Sequence, residues 1–293
     1  MPVDATPSSH AAQTSVAALL PAWQAAGFIQ ATLDSLSAQT SGRFRVIVSV
    51  DLCDDDTHAL CLAHARKDPR FHVIRQARRL GYVGNCNFLL EQAVAAGTDY
   101  ACFAFHDDLV APGYLARLAA VLDARPEVVL AYSDMRLTHL DGRVEEPLFT
   151  ALEGLASRVE RGTVMLKPAV RWWVPNRGLF RVAAARGIGG LKTHGAGEFS
   201  TDWPWLFHMS LLGQFARVPE VLCFKHYKPG SLSRSWDFTE GQVYEARAAC
   251  MRELWSAAIP TAEKVQLAVP IIRWLYDHPQ PAEPAPQPAE PAP

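Results

Sequence analysis

The 293-residue sequence predicts an α/β protein built on a mostly parallel, twisted sheet flanked by helices. Strand-like and helix-like segments alternate over the first 135 residues, which is typical of such a sheet. Acidic side chains follow two of the predicted strands, at the edge where an open α/β sheet binds its ligands. The composition, 49% apolar and 20% charged, is that of a globular protein long enough to bury a large core.

The first half of the chain supplies the regular alternation. Runs of apolar and β-branched residues predict strands at 15–20, 44–50, 71–75, 100–105 and 128–132. Pro21 is expected to end the first strand, because proline has no backbone N–H to donate. Apolar residues at helical spacing predict helices at 27–39, 85–96 and 112–125, and a further helix that Asp54 or Asp55 would cap.

The alternation is weaker after Ser133. Asp141-Gly142 predicts a hairpin turn, and a glycine-rich segment covers residues 187–197. Strands are predicted at 177–181 and 221–227, and helices at 203–212 and 240–258. Pro270 is expected to break the apolar stripe of the last helical segment, at 265–276.

Charge and cysteine content exclude several classes of function. The net charge is −2, from 28 basic and 30 acidic residues, so no strong field points to nucleic acid or to an anionic membrane. The six cysteines include no C-x-x-C pair, which argues against a structural zinc site and favours reduced thiols in the core. We therefore expect no nucleic-acid partner and a reducing compartment.

The two ends of the chain were compared with targeting segments and with disordered tails. The first ten residues contain an acid, Asp4, and no basic region, which is unlike a signal peptide. No apolar run is long enough to cross a bilayer, so a cytoplasmic protein is expected. The last residues, 279–293, read PQPAEPAPQPAEPAP, a composition that favours an extended, disordered tail outside the fold.

Two acidic clusters are the first candidate functional residues. Asp51 and the run 54–56 follow the second predicted strand, and His106, Asp107 and Asp108 follow the fourth. Carboxylates this close repel one another unless a cation or hydrogen-bond donors compensate them. Mg²⁺ held by one or two carboxylates and a substrate phosphate would meet this need. The alternative is that the first cluster only caps a helix and the second only forms a turn.

Five short segments, taken in order, resemble family 2 glycosyltransferases with the glycosyltransferase A-type fold. They are SVAALLPAW, VIVSVDLCDDDT, RRLGYVGNCN, FAFHDDLVAPGYL and STDWPWLFHMSLLGQFARVPEVL, and they extend over about residues 15–235. Each segment is degenerate, but five in the right order are specific. The resemblance implies an enzyme that moves a sugar from a nucleotide-diphosphate sugar to an acceptor hydroxyl, in polysaccharide or glycoconjugate synthesis.

The resemblance also implies roles for individual residues. Residues that would contact the donor nucleotide are Pro21, Ala22, Trp23, Asp51, Asp55, Arg79, Gly81 and Asn87. Asp107 would bind Mg²⁺ or Mn²⁺, with Asp108 and His106 beside it. Asp202 would be the general base that takes the proton of the acceptor hydroxyl. One in-line displacement would then invert the anomeric carbon.

Three positions depart from the family's pattern. Phe105 stands where the metal motif usually begins with an aspartate, although a His-Asp-Asp variant of the motif would accommodate it. Leu52 replaces the second acid after the second strand, and Thr201 replaces the acid before the base. These changes motivate an alternative: a catalytically inactive relative that binds a nucleotide sugar or a partner protein. Asp107 and Asp202, both present, favour an active enzyme.

Further residues are candidates for donor or acceptor contacts. His226 and Lys228 lie where this family closes over the diphosphate, although a strand end and a solvated loop explain them equally well. Trp203 would stack on a sugar ring, but a buried aromatic anchor is as common a role for tryptophan. The same two readings apply to Trp172, Trp173 and Trp205. A sugar nucleotidyltransferase and a Rossmann dehydrogenase are disfavoured, because no glycine-rich phosphate loop follows the first strand.

The predicted organisation has five parts. They are an N-terminal extension (1–14), a nucleotide-sugar-binding half (15–135), an acceptor and catalytic half (136–236), C-terminal helices (237–278) and the tail (279–293). The acceptor is left open as a saccharide, a lipid-linked molecule or another hydroxyl. Peripheral membrane contact through the last helical segment is also left open, although Pro270 interrupts its apolar stripe.

Overall fold

A computed structural model describes residues 15–41, 43–167, 171–228 and 236–279, and its strands form one mixed sheet. The predicted N-terminal extension and nearly all of the predicted tail lie outside the described residues. The strands are β1 (Val16–Ala22), β2 (Phe44–Val50), β3 (Phe71–Arg75), β4 (Tyr100–Phe103), β5 (Asp108–Val110), β6 (Val128–Thr138), β7 (Val144–Glu145), β8 (Leu179–Arg181) and β9 (Gln214–His226). Their order in the sheet is β3-β2-β1-β4-β8-β6-β9-β5, with β7 paired to β6.

Helices cover the sheet and continue beyond it. They are α1 (Ile29–Ser37), α2 (Thr57–Ala65), α3 (Gly81–Ala95), α4 (Tyr114–Ala124), α5 (Arg158–Met165), α6 (Val182–Ile188), α7 (Asp202–Leu212), α8 (Glu240–Ser256) and α9 (Thr261–Asp277). A short 3-10 helix spans Pro175–Arg177. None of the helices in the described parts of the chain has the length and apolar character that crossing a membrane requires.

The first strands follow the predicted parallel arrangement. β1 pairs in parallel with β2 and β4, and β2 pairs in parallel with β3. All seven residues of β1 are buried, as expected for a strand covered by helices on both faces. The later strands pair in both directions: β9 is parallel to β6, whereas β8 is antiparallel to both β4 and β6. The carboxyl ends of β1, β2 and β4 therefore meet at one edge.

Pro21 does not end β1, contrary to the prediction. The backbone groups of successive β1 residues point alternately towards β2 and towards β4. Ala22 faces β2, since its carbonyl accepts from Asp51 N, and Leu19 faces β4, since its carbonyl accepts from Ala104 N. Pro21 shares the side of Leu19, where β4 has already ended at Phe103. Its missing N–H therefore removes no bond from the sheet.

Pro270 does not break the last helix either. α9 runs through it without interruption, held by Leu267, Ala268 and Ile271, which are buried against the core. The carbonyl that loses its helical partner belongs to Gln266, an exposed residue, so water can replace the missing donor. Tertiary packing therefore outweighs the cost of the proline.

Other elements differ from the sequence prediction in extent. α3 begins at Gly81 instead of residue 85, and β4 ends at Phe103 instead of residue 105. The prediction omitted β5, β7, α5 and α6, which are two to eight residues long. The hairpin at Asp141-Gly142 is confirmed, because β6 and β7 pair antiparallel across it.

The C-terminal helices share their core with the helices under the sheet. One apolar cluster combines Leu89 of α3, Leu206 of α7, Leu254 of α8 and Leu267 of α9, each fully buried. A second cluster lies on the other face of the sheet, with α1 and α4. All six cysteines are free thiols, and all except Cys53 are buried.

Candidate active site

The segment after β4 carries the predicted metal motif, and the pairing of β5 with β9 determines its surroundings. Asp108 begins β5 and lies directly opposite Lys225 of β9 in the antiparallel register. The Nζ atom of Lys225 is 3.3 Å from Oδ2 of Asp107 and 3.5 Å from Oδ1 of Asp108. Burial works to raise the pKa of Asp107, but Lys225, His106 and Arg177 together hold it below its ordinary value. The Asp107 carboxylate is therefore ionised.

His106 is oriented by the end of β1. Its Nδ1 lies 2.9 Å from the carbonyl oxygen of Pro21. Because a carbonyl only accepts, Nδ1 carries the proton, and in the neutral ring Nε2 keeps a free lone pair. The ring also packs on Phe28, and the Lys228 ammonium lies 4.9 Å from the centre of the Phe28 ring. Phe28 therefore lies between the His106 ring and the Lys228 ammonium.

His226, in contrast, is not placed in contact with this segment. It ends β9 one residue after Lys225, and successive side chains of a strand point to opposite faces. Tyr227, two residues after Lys225, lies 5.5 Å from its ammonium, measured to the ring centre. Lys225, which the sequence analysis did not select, contacts the acids instead of His226.

Arg177 is a central charged residue that the sequence analysis missed. Its Nε donates to Oδ2 of Asp108 at 2.9 Å, and its side chain is only 15% exposed. The guanidinium lies 4.9 Å from the centre of the Phe105 ring, and Nη1 donates to Trp173 O. Phe105, one of the departures from the family's pattern, thus supports the arginine that neutralises Asp108. An arginine inside the apolar segment VPNRGLF was the available signal, since a buried arginine needs an anionic partner.

Asp202 is the first residue of α7, and Arg177 acts on it electrostatically. Its Oδ2 accepts a 2.7 Å hydrogen bond from Nδ2 of Asn176, whereas its buried Oδ1 has no partner among the described residues. Burial raises the pKa of Asp202 to about 6, although the charge of Arg177 opposes this rise. Arg177 thus contacts Asp108 and acts electrostatically on both Asp107 and Asp202. The structure brings the predicted metal residues and the predicted base into one charge cluster.

Asp51 is an internal anchor. It is 2% exposed, and its carboxylate accepts hydrogen bonds from the backbone N–H groups of Leu52, Leu80 and Gly81. Its oxygens therefore already accept hydrogen bonds from the chain itself, and its contact with the donor nucleotide stays a prediction. Arg79 joins it through a 3.4 Å contact between Nε and Oδ2.

Arg79, which contacts Asp51, and Trp23 form a partly exposed pair of side chains. The guanidinium carbon of Arg79 lies 3.4 Å from the centre of the Trp23 ring, so the two side chains stack. Pro21 and Ala22, which precede Trp23, are buried within β1. A planar cation on an aromatic ring offers a surface for a base or a phosphate, and it lies at the predicted edge of the sheet.

The other residues predicted to contact the nucleotide lie at contacts between segments that are distant in the chain. Asp55 accepts hydrogen bonds from Ala26 N and from Thr57, and these donors outweigh burial and lower its pKa. Asn87 bonds twice to Leu191: its Nδ2 donates to the carbonyl, and its Oδ1 accepts from the N–H. Gly81 has φ +76°, and a Cβ there would lie 2.8 Å from Glu198. Glu198, also missed from the sequence, accepts from Val83 N and so caps α3.

The tryptophans divide between core and surface. Trp203 is 7% exposed, donates its indole N–H to Met165 O and stacks on Trp172. Trp205 is 2% exposed and packs edge-on against Phe103 and Phe180. These two are core residues in this fold, which favours the reading of Trp203 as a buried aromatic anchor. Trp172 and Trp173 are partly exposed.

One protein family matches the first half of the chain. The glycosyl transferase family 2 model matches residues 18–155, which include most of β1 and the His106–Asp108 motif. This part of the chain is similar to that family. No curated protein sequence matches the chain.

Solved structures show that the family fold extends beyond residue 155. S. aureus TarS 1-349 in complex with UDP-GlcNAc is 16% identical, with 90% of this chain and 73% of that chain covered and a TM-score of 0.69. The mannosyltransferase PcManGT from Pyrobaculum calidifontis, in complex with GDP-Man and Mn²⁺, is 15% identical, with coverages of 89% and 78% and a TM-score of 0.56. The chain spans 44% of a longer TarS chain. At these identities the likeness establishes the glycosyltransferase A-type fold.

The donor atoms present fit a divalent ion that shares its ligands with a substrate. Within the described residues, no three His, Cys, Asp or Glu side chains form a metal-binding group. Asp107 and the free Nε2 of His106 supply two ligands at most. Such an open set suits Mg²⁺ or Mn²⁺, which keep waters and bind phosphate oxygens, and it does not suit a closed zinc site. Lys225 lies beside the same carboxylate.

Proposed function

We propose that this protein is an inverting, metal-dependent glycosyltransferase, which moves a hexosyl group from a nucleotide-diphosphate sugar to an acceptor hydroxyl. The arrangement around Arg177 carries the proposal, because this guanidinium is bonded to Asp108 and acts electrostatically on both Asp107 and Asp202. The similarity to family 2 supports the reaction class. The acceptor is a saccharide, a lipid-linked molecule or another hydroxyl, in polysaccharide or glycoconjugate synthesis.

Asp202 is the proposed general base. With a pKa of about 6, most of the carboxylate is ionised at neutral pH while remaining basic enough to take a proton. Asn176 holds Oδ2, so Oδ1 is the oxygen that would accept the acceptor's proton. Attack from this side, with the diphosphate leaving on the opposite side, is a single displacement that inverts the anomeric carbon.

The proposed leaving-group site lies at Asp107. Asp107 and Nε2 of His106 would hold Mg²⁺ or Mn²⁺, which when bound supplies Lewis-acid stabilisation of the charge that develops on the diphosphate. Lys225 adds positive charge at the same place. Lys228, which lies over the Phe28 ring, would contribute from further away. Trp23 and Arg79 would bind the nucleotide, since stacking and a planar cation suit a base or its phosphates.

The proposal is tested first by finding the donor. UDP, GDP and dTDP sugars are added with and without Mn²⁺, and the melting temperature is recorded; a true donor raises it by mass action. Donor hydrolysis and transfer are then compared for the wild type and Asp202→Asn. We expect a loss of about a thousandfold or more in turnover, with donor binding retained.

The controls separate catalysis from folding. Asp202→Asn should be no less stable than the wild type at about pH 7.5, because it removes a buried charge and keeps an oxygen for Asn176. Asp123→Asn alters an acid that binds the Tyr100 hydroxyl at the opposite end of β4, and it should retain full turnover. Undiminished turnover in Asp202→Asn would remove this residue from the mechanism. Donor binding without turnover by the wild type would favour the inactive, nucleotide-sugar-binding relative.

A further inference from the structure

Lys225 lies where the proposed metal ion would place its positive charge. Its ammonium contacts both acids, at 3.3 Å from Asp107 and 3.5 Å from Asp108, and the side chain is only 8% exposed. We propose that Lys225 is a built-in competitor of the divalent ion: it neutralises Asp107 in the metal-free protein and leaves that carboxylate when the ion binds with the donor diphosphate. The displacement of Lys225 by an ion that binds with the donor diphosphate rests on the proposed function.

The backbone of Lys225 is fixed, so only its side chain can move. β9 lies between β5 and β6, and Lys225 is paired with Asp108 on one side and with Leu137 on the other. The ammonium sits at the end of a flexible four-carbon stem with three rotatable donors. A change of rotamer can therefore withdraw the charge from Asp107 without disturbing the sheet.

Arg177 cannot be displaced by the ion in the same way. Its Nε is bonded to Asp108, its Nη1 to Trp173 O, and its planar face packs on Phe105. A guanidinium held on three sides compensates Asp108 permanently. Asp107, whose nearest cation is the flexible lysine, is the carboxylate from which a cation can be exchanged.

Charge balance predicts how metal and nucleotide bind together. Asp107 and Asp108 are matched by Lys225 and Arg177, so a divalent ion alone would add two uncompensated positive charges to a largely buried site. A diphosphate that enters with the ion restores the balance and offers the displaced ammonium a new anionic partner. Metal and nucleotide should therefore bind cooperatively, and Lys225 is the source of the coupling.

The test measures Mn²⁺ binding without any donor. Free Mn²⁺ is followed by electron paramagnetic resonance at about pH 7.5 for the wild type and Lys225→Met. We expect about tenfold tighter binding in Lys225→Met, because removing a positive charge beside Asp107 removes repulsion of the ion. Lys225→Arg, which keeps the charge, should not show this gain.

Two matched variants check that the effect is local. Lys192→Met removes a lysine that pairs with Glu253 and should bind Mn²⁺ as the wild type does. Adding Asp107→Asn to Lys225→Met should abolish the gain. Mn²⁺ affinity in Lys225→Met that equals or falls below the wild type would overturn the proposal, and so would a gain that survives Asp107→Asn.

A second measurement keeps the result separate from the transferase proposal. Because the Mn²⁺ titration contains no donor, a protein without transferase activity can still confirm or contradict the competition. The nucleoside diphosphate that most raises the melting temperature is then added, and Mn²⁺ affinity is measured again. We expect the nucleotide to increase Mn²⁺ affinity more in the wild type than in Lys225→Met; an equal increase would contradict the coupling.

Discussion

At the scale of single residues, the chemistry depends on the protonation of one buried carboxylate. Asp202 combines a free Oδ1 with an Oδ2 that Asn176 holds, and burial raises its pKa to about 6. The N–H of Asn176 stabilises the ionised form, as the charge of Arg177 does. Asn176 is therefore a positioning residue that also limits how far the pKa rises.

We predict that Asn176→Ala moves the acid limb of the pH–rate profile. The wild-type rate should rise with pH through about 6, because the base works only when deprotonated. Without the Asn176 donor the ionised form is less stable, so the limb should move upward by about one pH unit. The measurement is transfer rate from about pH 5 to pH 9. A uniform loss at every pH, with the limb unmoved, would contradict a role through Asp202.

At the scale of elements, the start of α3 is held by acids from distant parts of the chain. Asp51, at the end of β2, accepts from Leu80 N and Gly81 N, and Glu198 accepts from Val83 N. A helix N-terminus has unpaired N–H groups and a positive end, so two carboxylates satisfy it well. The same bonds position Arg79, which stacks on Trp23. Asp51 therefore supports both the start of α3 and the proposed nucleotide surface.

We predict that Asp51→Asn destabilises the protein by about 2 to 3 kcal/mol, because an amide cannot accept from all these N–H groups and brings its own donors against them. The free energy of unfolding is measured with urea. Asp54→Asn is the matched control: Asp54 is exposed, accepts a hydrogen bond from Gln24 and should change stability by less than about 0.5 kcal/mol. Equal effects of the two variants would contradict the anchoring role of Asp51.

At the scale of the whole molecule, α8 and α9 are part of the same core as the sheet. Leu267 of α9 is fully buried against Gly162 of α5, where even a Cβ would come within 2.9 Å of the Leu267 side chain. Lys192 and His208 both bond to Glu253 of α8 at 2.7 Å, which ties this helix to α7. The helices therefore support α7, the element that carries Asp202.

We predict that Leu267→Ala lowers the free energy of unfolding by about 3 kcal/mol, because it leaves a cavity between tightly packed helices. The loss should appear in a single unfolding transition followed by both fluorescence and circular dichroism. Val269→Ala, two residues further on, is the control: Val269 is 55% exposed and should cost less than about 1 kcal/mol. Separate transitions for the two halves of the chain would show that α9 is not part of the common core.

Local patterning was sufficient for the regular elements. β2 and β3 were predicted to the residue, and the start of α7 at Asp202 followed from an acid before an apolar run. The motif order also predicted the resemblance to family 2, and four of the five segments lie wholly or largely within the residues that the family model matches. Pro21 and Pro270 were misjudged because their cost depends on which neighbour the missing N–H would face.

The charge cluster could not be predicted, because its partners are far apart in the chain. Arg177 is 69 residues from Asp108, and Lys225 is 118 residues from Asp107. Only the pairing of β5 with β9 and the placement of the 3-10 helix bring these cations to the acids. The sequence could show which residue types the chemistry needs, whereas burial and long-range pairing decided which carboxylates are occupied, which oxygen is free and where the positive charge lies.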